Sequence, residues 1–183
     1  MSKVIIFFLA ILVLASTAGL LDHLRHPKEP PGPLVHVRNE FEFTVHAPYS
    51  MAAPLFGPEG ERTWTDGHWD PHFLYPQPAQ DIEGAVFRVS HGHHSSTWVN
   101  TAFNLDQGQI QYVYFIADTL VTRIDLHLSQ PDAMNTKVHV AYERTALSAA
   151  ANERVREMGD HDRNSGPEWR ADIDRYLATQ RQK

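Results

Sequence analysis

Hydrophobic and polar residues alternate along LVHVRNEFEFTVHAP, which puts Val35, Val37, Phe41, Phe43, Val45 and Ala47 on one side and His36, Arg38, Glu40, Glu42, Thr44 and His46 on the other. A period of two sustained over this length predicts a long antiparallel strand with one buried and one wet face. Five further strand-like runs follow at hairpin spacing: GAVFRVS (84–90), STWVNTAFNLD (96–106), QIQYVYFIAD (109–118), LVTRIDLHLS (120–129) and TKVHVAYER (136–144). The polar segments DQG (106–108) and SQPDAMN (129–135) read as turns, so these five runs form a meander.

From Thr145 the pattern changes. TALSAAANERVREMGD is rich in helix formers, and after the breaker NSGP a helix is predicted from about Glu168, with Trp169, Ile173, Tyr176 and Leu177 on one stripe. Pro167 suits its first turn. The expected architecture is α+β: an edge strand, a connecting segment, a meander of five strands and a long C-terminal helix whose apolar face needs a sheet. A curved sheet wrapped around that helix covers both exposed faces.

Upstream of this domain the first 21 residues carry one cation, Lys3, then an apolar run from Val4, then the small residues Ser16 and Ala18. This is the pattern of a secretory signal peptide, 1–18, cleaved after Ala18. The alternative is a retained anchor, because residues 4–21 are uncharged and just long enough for a bilayer core of about 30 Å. Residues 19–34 are rich in proline and charge and read as a linker, which leaves 35–183 as the folded domain. Export to the periplasm or the extracellular space follows from the signal; membrane contact is expected only through this segment if it is not cut.

Composition narrows the field further. One domain is expected from 183 residues. The chain has no cysteine, so its core alone must stabilise it. A net charge of −6 with no basic block makes nucleic acid a poor partner.

Several fragments resemble a bacterial branch of the START-like, or SRPBCC, superfamily. They are PEGERTW (58–64), Trp69 with FLYP (73–76), GAVF (84–87), STWV (96–99), YERTALS (142–148) and the late Trp169. The resemblance spans roughly residues 35–177. It implies a helix-grip fold with an apolar cavity between sheet and helix, used for lipids, sterols, polyketides or aromatic compounds, and it carries over no catalytic set. A hydrophobic small molecule is the expected partner, and no cofactor is expected.

Within such a fold the segment after the first strand closes one mouth of the cavity. Trp64, Trp69, Phe73, Leu74 and Tyr75 are then lid residues; the alternative is that they plug a small core. The full set of candidates is Trp64, Trp69, Phe73, Tyr75, Trp98, Tyr112, Tyr114, Trp169 and Ile173. Glu59, Glu61 and Arg62 read as a solvated turn with a local ion pair rather than a buried charge network.

Twelve histidines raise the question of a metal, with His68 and His72 in HWDPH and His91, His93 and His94 in HGHHSS. The spacing matches no zinc motif, and HGHHSS lies where a hairpin tip is expected. A nucleophilic enzyme has little support, since no Gly-x-Ser-x-Gly elbow is present. A cyclase- or lyase-like enzyme needs only one acid or base inside the cavity. Tyr112, Tyr114, Arg123, Asp125 and His127 are candidates, but the apolar even series Ile124, Leu126 and Leu128 should turn the last three to solvent.

Overall fold

The structure, a computed structural model, describes residues 32–91 and 94–181, so the expected signal, most of the expected linker and His93 lie outside the described residues. The strands are β1 (His36–Val45), β2 (His72–Tyr75), β3 (Val86–His91), β4 (His94–Asn104), β5 (Gln109–Ile116), β6 (Leu120–Asp132) and β7 (Asn135–Ala146). They form one antiparallel sheet in the order β1-β7-β6-β5-β4-β3-β2. The alternation along β1 places Phe43 and Val45 in the core, with His36 and Glu42 outside.

On β6, Thr122, Ile124, Leu126 and Leu128 are buried, while Arg123 and His127 are exposed. Arg123 pairs outside with Asp125 at 2.9 Å and with Glu143 at 2.9 Å.

Two features depart from the sequence pattern. Residues 72–75 form a strand, β2, which takes the far edge of the sheet by pairing with β3. Its inward Phe73 stacks on Phe87 with centroids 5.4 Å apart. Pro71 and Pro76 flank it, which an edge strand tolerates because one side of its backbone has no ladder to complete. The expected turn at 129–135 is also shorter than predicted. β6 and β7 continue past Ser129 to Asp132 and Asn135, with a register irregularity, so Pro131 sits where β5 no longer pairs.

Between β1 and β2 the chain forms α1 (Tyr49–Ala52), a 3-10 turn (Ala53–Phe56) and α2 (Pro58–Glu61). After β7 come a 3-10 turn (Ala149–Ala151), α3 (Asn152–Asp162) and α4 (Gly166–Gln180). The NSGP sequence separates the two helices, and Pro167 stands in the first turn of α4. Ile173 and Leu177 are buried from α4, and α3 packs on β1 and β7.

One buried ion pair ties α3 to the sheet. Arg144 on β7 donates from Nε to Asp162 Oδ2 at 2.6 Å and from Nη2 to Oδ1 at 2.7 Å. Its Nη1 donates to the Tyr114 hydroxyl and to Thr122 Oγ1. Four of the five N–H donors of this buried guanidinium are therefore used, and its Cζ lies over the Tyr142 ring, which offsets the cost of burying such a charge. Among the described residues no helix is long and apolar enough to cross a membrane.

Candidate functional site

The site is built from a one-turn helix. In FGPEGERTW, Pro58 opens α2 and Asp81 caps it, accepting from the Glu59 and Gly60 amides at 2.9 and 3.3 Å. Gly60 is required by close approach, because a Cβ there would lie 2.0 Å from the Pro54 carbonyl oxygen. Glu59 and Arg62 turn outward and pair at 3.0 Å, and Arg62 also holds Asp70 and the Pro71 carbonyl. Glu61, on the other face of the turn, is carried inward and is only 9% exposed.

Beyond α2 the tryptophans are fixed by the backbone they fold against. Trp64 donates its indole N–H to the Leu55 carbonyl and Trp69 donates to Pro58, each at 2.8 Å. Trp98 on β4 donates to Ser96 Oγ at 2.8 Å. With these donors satisfied internally, the three rings offer faces and edges to whatever lies beside them.

Trp69 meets Trp98 edge-on, with centroids 5.0 Å apart at 89°. Trp64 meets Trp169 of α4 at 5.7 Å and 58°. Together with Tyr112, Tyr142, Ile124 and Leu126 from the sheet, these four indoles wall a cavity of about 420 Å³. Glu61, Thr65, His68, His161, Glu168 and Asp172 complete the lining. Of these, His68, His161 and Glu168 are exposed, and Asp172 is held by Arg175 at 2.6 Å.

Few polar groups inside remain uncommitted. Tyr112 spends its hydroxyl on the Phe56 carbonyl at 2.5 Å. Among the described residues, the Glu61 carboxyl and the Tyr142 hydroxyl make no side-chain hydrogen bond and open onto the cavity, whereas the one fully enclosed side-chain atom without a partner is Asn100 Oδ1. Burial raises the Glu61 pKa well above the ordinary carboxylate range, and the charge of Asp81 raises it further. Burial likewise pushes up the Tyr112 and Tyr142 hydroxyls. A carboxyl in such surroundings can hold or release a proton nearer neutrality than a solvated one, or meet a ligand's cation or donor.

The sequence candidates divide. Trp64, Trp69, Trp98, Tyr112 and Trp169 line the cavity. Phe73 does not, because as an inward residue of β2 it is spent on Phe87. Tyr75, past the register irregularity that follows Phe73, is 58% exposed, and Leu74 is exposed as well. Tyr114 stacks on Trp98 at 4.0 Å and its hydroxyl is engaged by Arg144, so it supports the wall from behind. Ile173 is fully buried beneath α4 as scaffold. Trp64 and Trp69 thus stand against the cavity, while Phe73 packs into the core away from it.

Glu61 and Tyr142 are polar cavity-lining residues that the sequence pattern passed over. The solvated turn expected for 59–62 describes Glu59 and Arg62 but not Glu61. A glutamate between two residues that pair with each other, followed by two tryptophans, is the signal that could have marked it.

For the histidines, His91 stands opposite His94 in the β3–β4 ladder, and His72 is exposed on β2. Among the described residues no group of three or more His, Asp or Glu is arranged to hold a metal ion.

A curved antiparallel sheet gripping a C-terminal helix, with a cavity between them, is a helix-grip fold. No family model and no curated protein matches the sequence. Solved structures do match in fold. An uncharacterised protein from Rhizobium leguminosarum is similar at a TM-score of 0.56 and 15% identity, over 80% of this chain and 97% of that one. Norcoclaurine synthase from Thalictrum flavum gives 0.57 and 8%, over 79% and 88%. The Zhui aromatase/cyclase from a Streptomyces species gives 0.53 and 16%, over 78% and 94%.

Proposed function

We propose that this protein is exported and holds a hydrophobic small molecule of aromatic type in the cavity between its sheet, α4 and the Trp64–Trp69 segment. The observation that carries the reading is the convergence of all four tryptophans of the chain on one cavity of about 420 Å³. Ligand pockets of roughly 300–1,000 Å³ are mostly apolar and pre-formed, with few polar groups to orient the occupant. Flat indole walls at right angles favour a ring system over a long acyl chain.

The test is titration of the protein with Nile red, a neutral apolar dye, read as dye emission and as quenching of tryptophan. Saturable binding is expected, with affinity lowered about tenfold in Trp69→Ala, as loss of an aromatic wall implies. A parent protein that binds no dye overturns the reading.

A second reading, an enzyme of cyclase or lyase type, is favoured by one observation: an unpartnered, buried carboxyl of raised pKa beside an unpartnered tyrosine hydroxyl. These are the properties of a general acid or base. Fold neighbours that are a synthase and an aromatase/cyclase are in keeping with it. Native mass spectrometry of parent and Glu61→Gln protein from the host's envelope fraction separates the readings. A different bound mass in the variant supports turnover, and the same mass in both supports binding alone.

A further inference from the structure

The sign of the charge in the cavity is as informative as its aromatic content. Among the described residues that line it there is no lysine or arginine, and the buried carboxyl is Glu61, with His68, His161, Glu168 and Asp172 at the more exposed edge. Arg62, next in sequence, is turned away to Glu59 and Asp70, and Arg144 is spent on Asp162. An anionic occupant such as a fatty-acid carboxylate or a phosphate ester would therefore meet no cation inside and would approach a carboxyl.

An aromatic amine meets the opposite situation. Indole rings carry negative faces that attract a cation, and cages of such rings recognise quaternary ammonium groups. Here Trp64 and Trp169 form a pair at 58° and Trp69 stands near them, while Trp98, stacked between Tyr114 and Phe87, presents only its edge and serves as backing. The N–H groups of Trp64, Trp69 and Trp98, which would repel a cation, are occupied by Leu55, Pro58 and Ser96. Glu61 supplies a carboxylate to the same space, and a cation brought beside it would favour its ionised form.

We propose that the cavity selects a hydrophobic organic cation, an aromatic compound bearing a substituted or quaternary ammonium group, with the tryptophan walls and Glu61 as the cation's partners. This inference rests on the binding reading above and adds to it the charge of the ligand. It also accounts for a feature that an apolar pocket leaves unexplained: an otherwise unpartnered carboxyl kept inside at a desolvation cost.

The experiment compares benzyltrimethylammonium with neopentylbenzene, its neutral carbon isostere of the same shape, by quenching of tryptophan emission at about pH 8, with Nile red as the neutral reference. The cation is expected to bind about tenfold more tightly than the isostere, and that ratio should fall to about threefold or less in Glu61→Gln, whose folding is checked by its melting curve. An isostere that binds as tightly as the cation, with Nile red still bound, overturns the charge selection and leaves the binding reading standing. A cation preference that survives intact in Glu61→Gln overturns the role of Glu61. If neither probe nor Nile red binds, the binding reading falls and this inference with it.

Discussion

At the scale of single residues the molecule uses ionisable side chains in two opposite ways. Arg144 and Asp162 are buried as a mutually satisfied pair, whereas Glu61 is buried facing a cavity. The first arrangement makes a sharp prediction. Asp162→Ala strands a buried guanidinium and should cost about 3–5 kcal/mol, while the double variant Arg144→Met with Asp162→Leu should cost much less, because no unpaired charge is left. Equal losses in chemical denaturation would contradict this account.

Glu61 predicts a pH dependence. Its folded pKa is raised above the unfolded value of about 4.3, so its contribution to stability is complete below that pH and is lost as pH rises through the folded pKa. Glu61→Gln removes this loss. The variant should melt close to the parent at about pH 4 and above it at about pH 8, and a gap that does not change with pH would refute the assignment. His68, His161, Asp81, Tyr112 and Tyr142 are present in both proteins, so the difference isolates the one carboxyl.

At the scale of elements, what was readable in the sequence follows from which faces are buried on one side only. β1 and β6 alternate because the inner face of each meets the core and the outer face meets water, so a period of two survives in the sequence. α4 shows its stripe for the same reason. β2 does not, since a four-residue edge strand between prolines is too short to display a period. The end of β6 hides for another reason: Gln130, Pro131 and Asp132 carry turn chemistry, yet there the strand has only β7 beside it and tolerates a proline. α2 is a single turn with no periodicity at all, which is why the inward direction of Glu61 was not legible from its charged neighbours.

The elements that wall the cavity and those that hold the fold should separate in experiment. Ile173→Ala, a truncation at a fully buried position, should destabilise by about 2–5 kcal/mol, and half-buried Trp69→Ala by less while weakening Nile red binding more. Comparable stability losses with unchanged dye affinity would mean that the Trp64–Trp69 segment is scaffold rather than wall.

At the scale of the whole molecule, the same sequence that specifies a sheet-and-helix body also has, ahead of it, a segment from which we predict export: one cation, an apolar run from Val4 to Ala15, and small residues at Ser16 and Ala18. The two parts are mutually compatible, because a chain without cysteine has no thiols to pair wrongly in an oxidising compartment. The competing possibility, an anchor formed by residues 4–21, would leave the same body attached to a membrane. The two outcomes differ in a single peptide bond. Protein isolated from the envelope of its host should be soluble and should begin at Gly19 by N-terminal sequencing, whereas Met1 recovered in the membrane pellet would establish the anchor in its place.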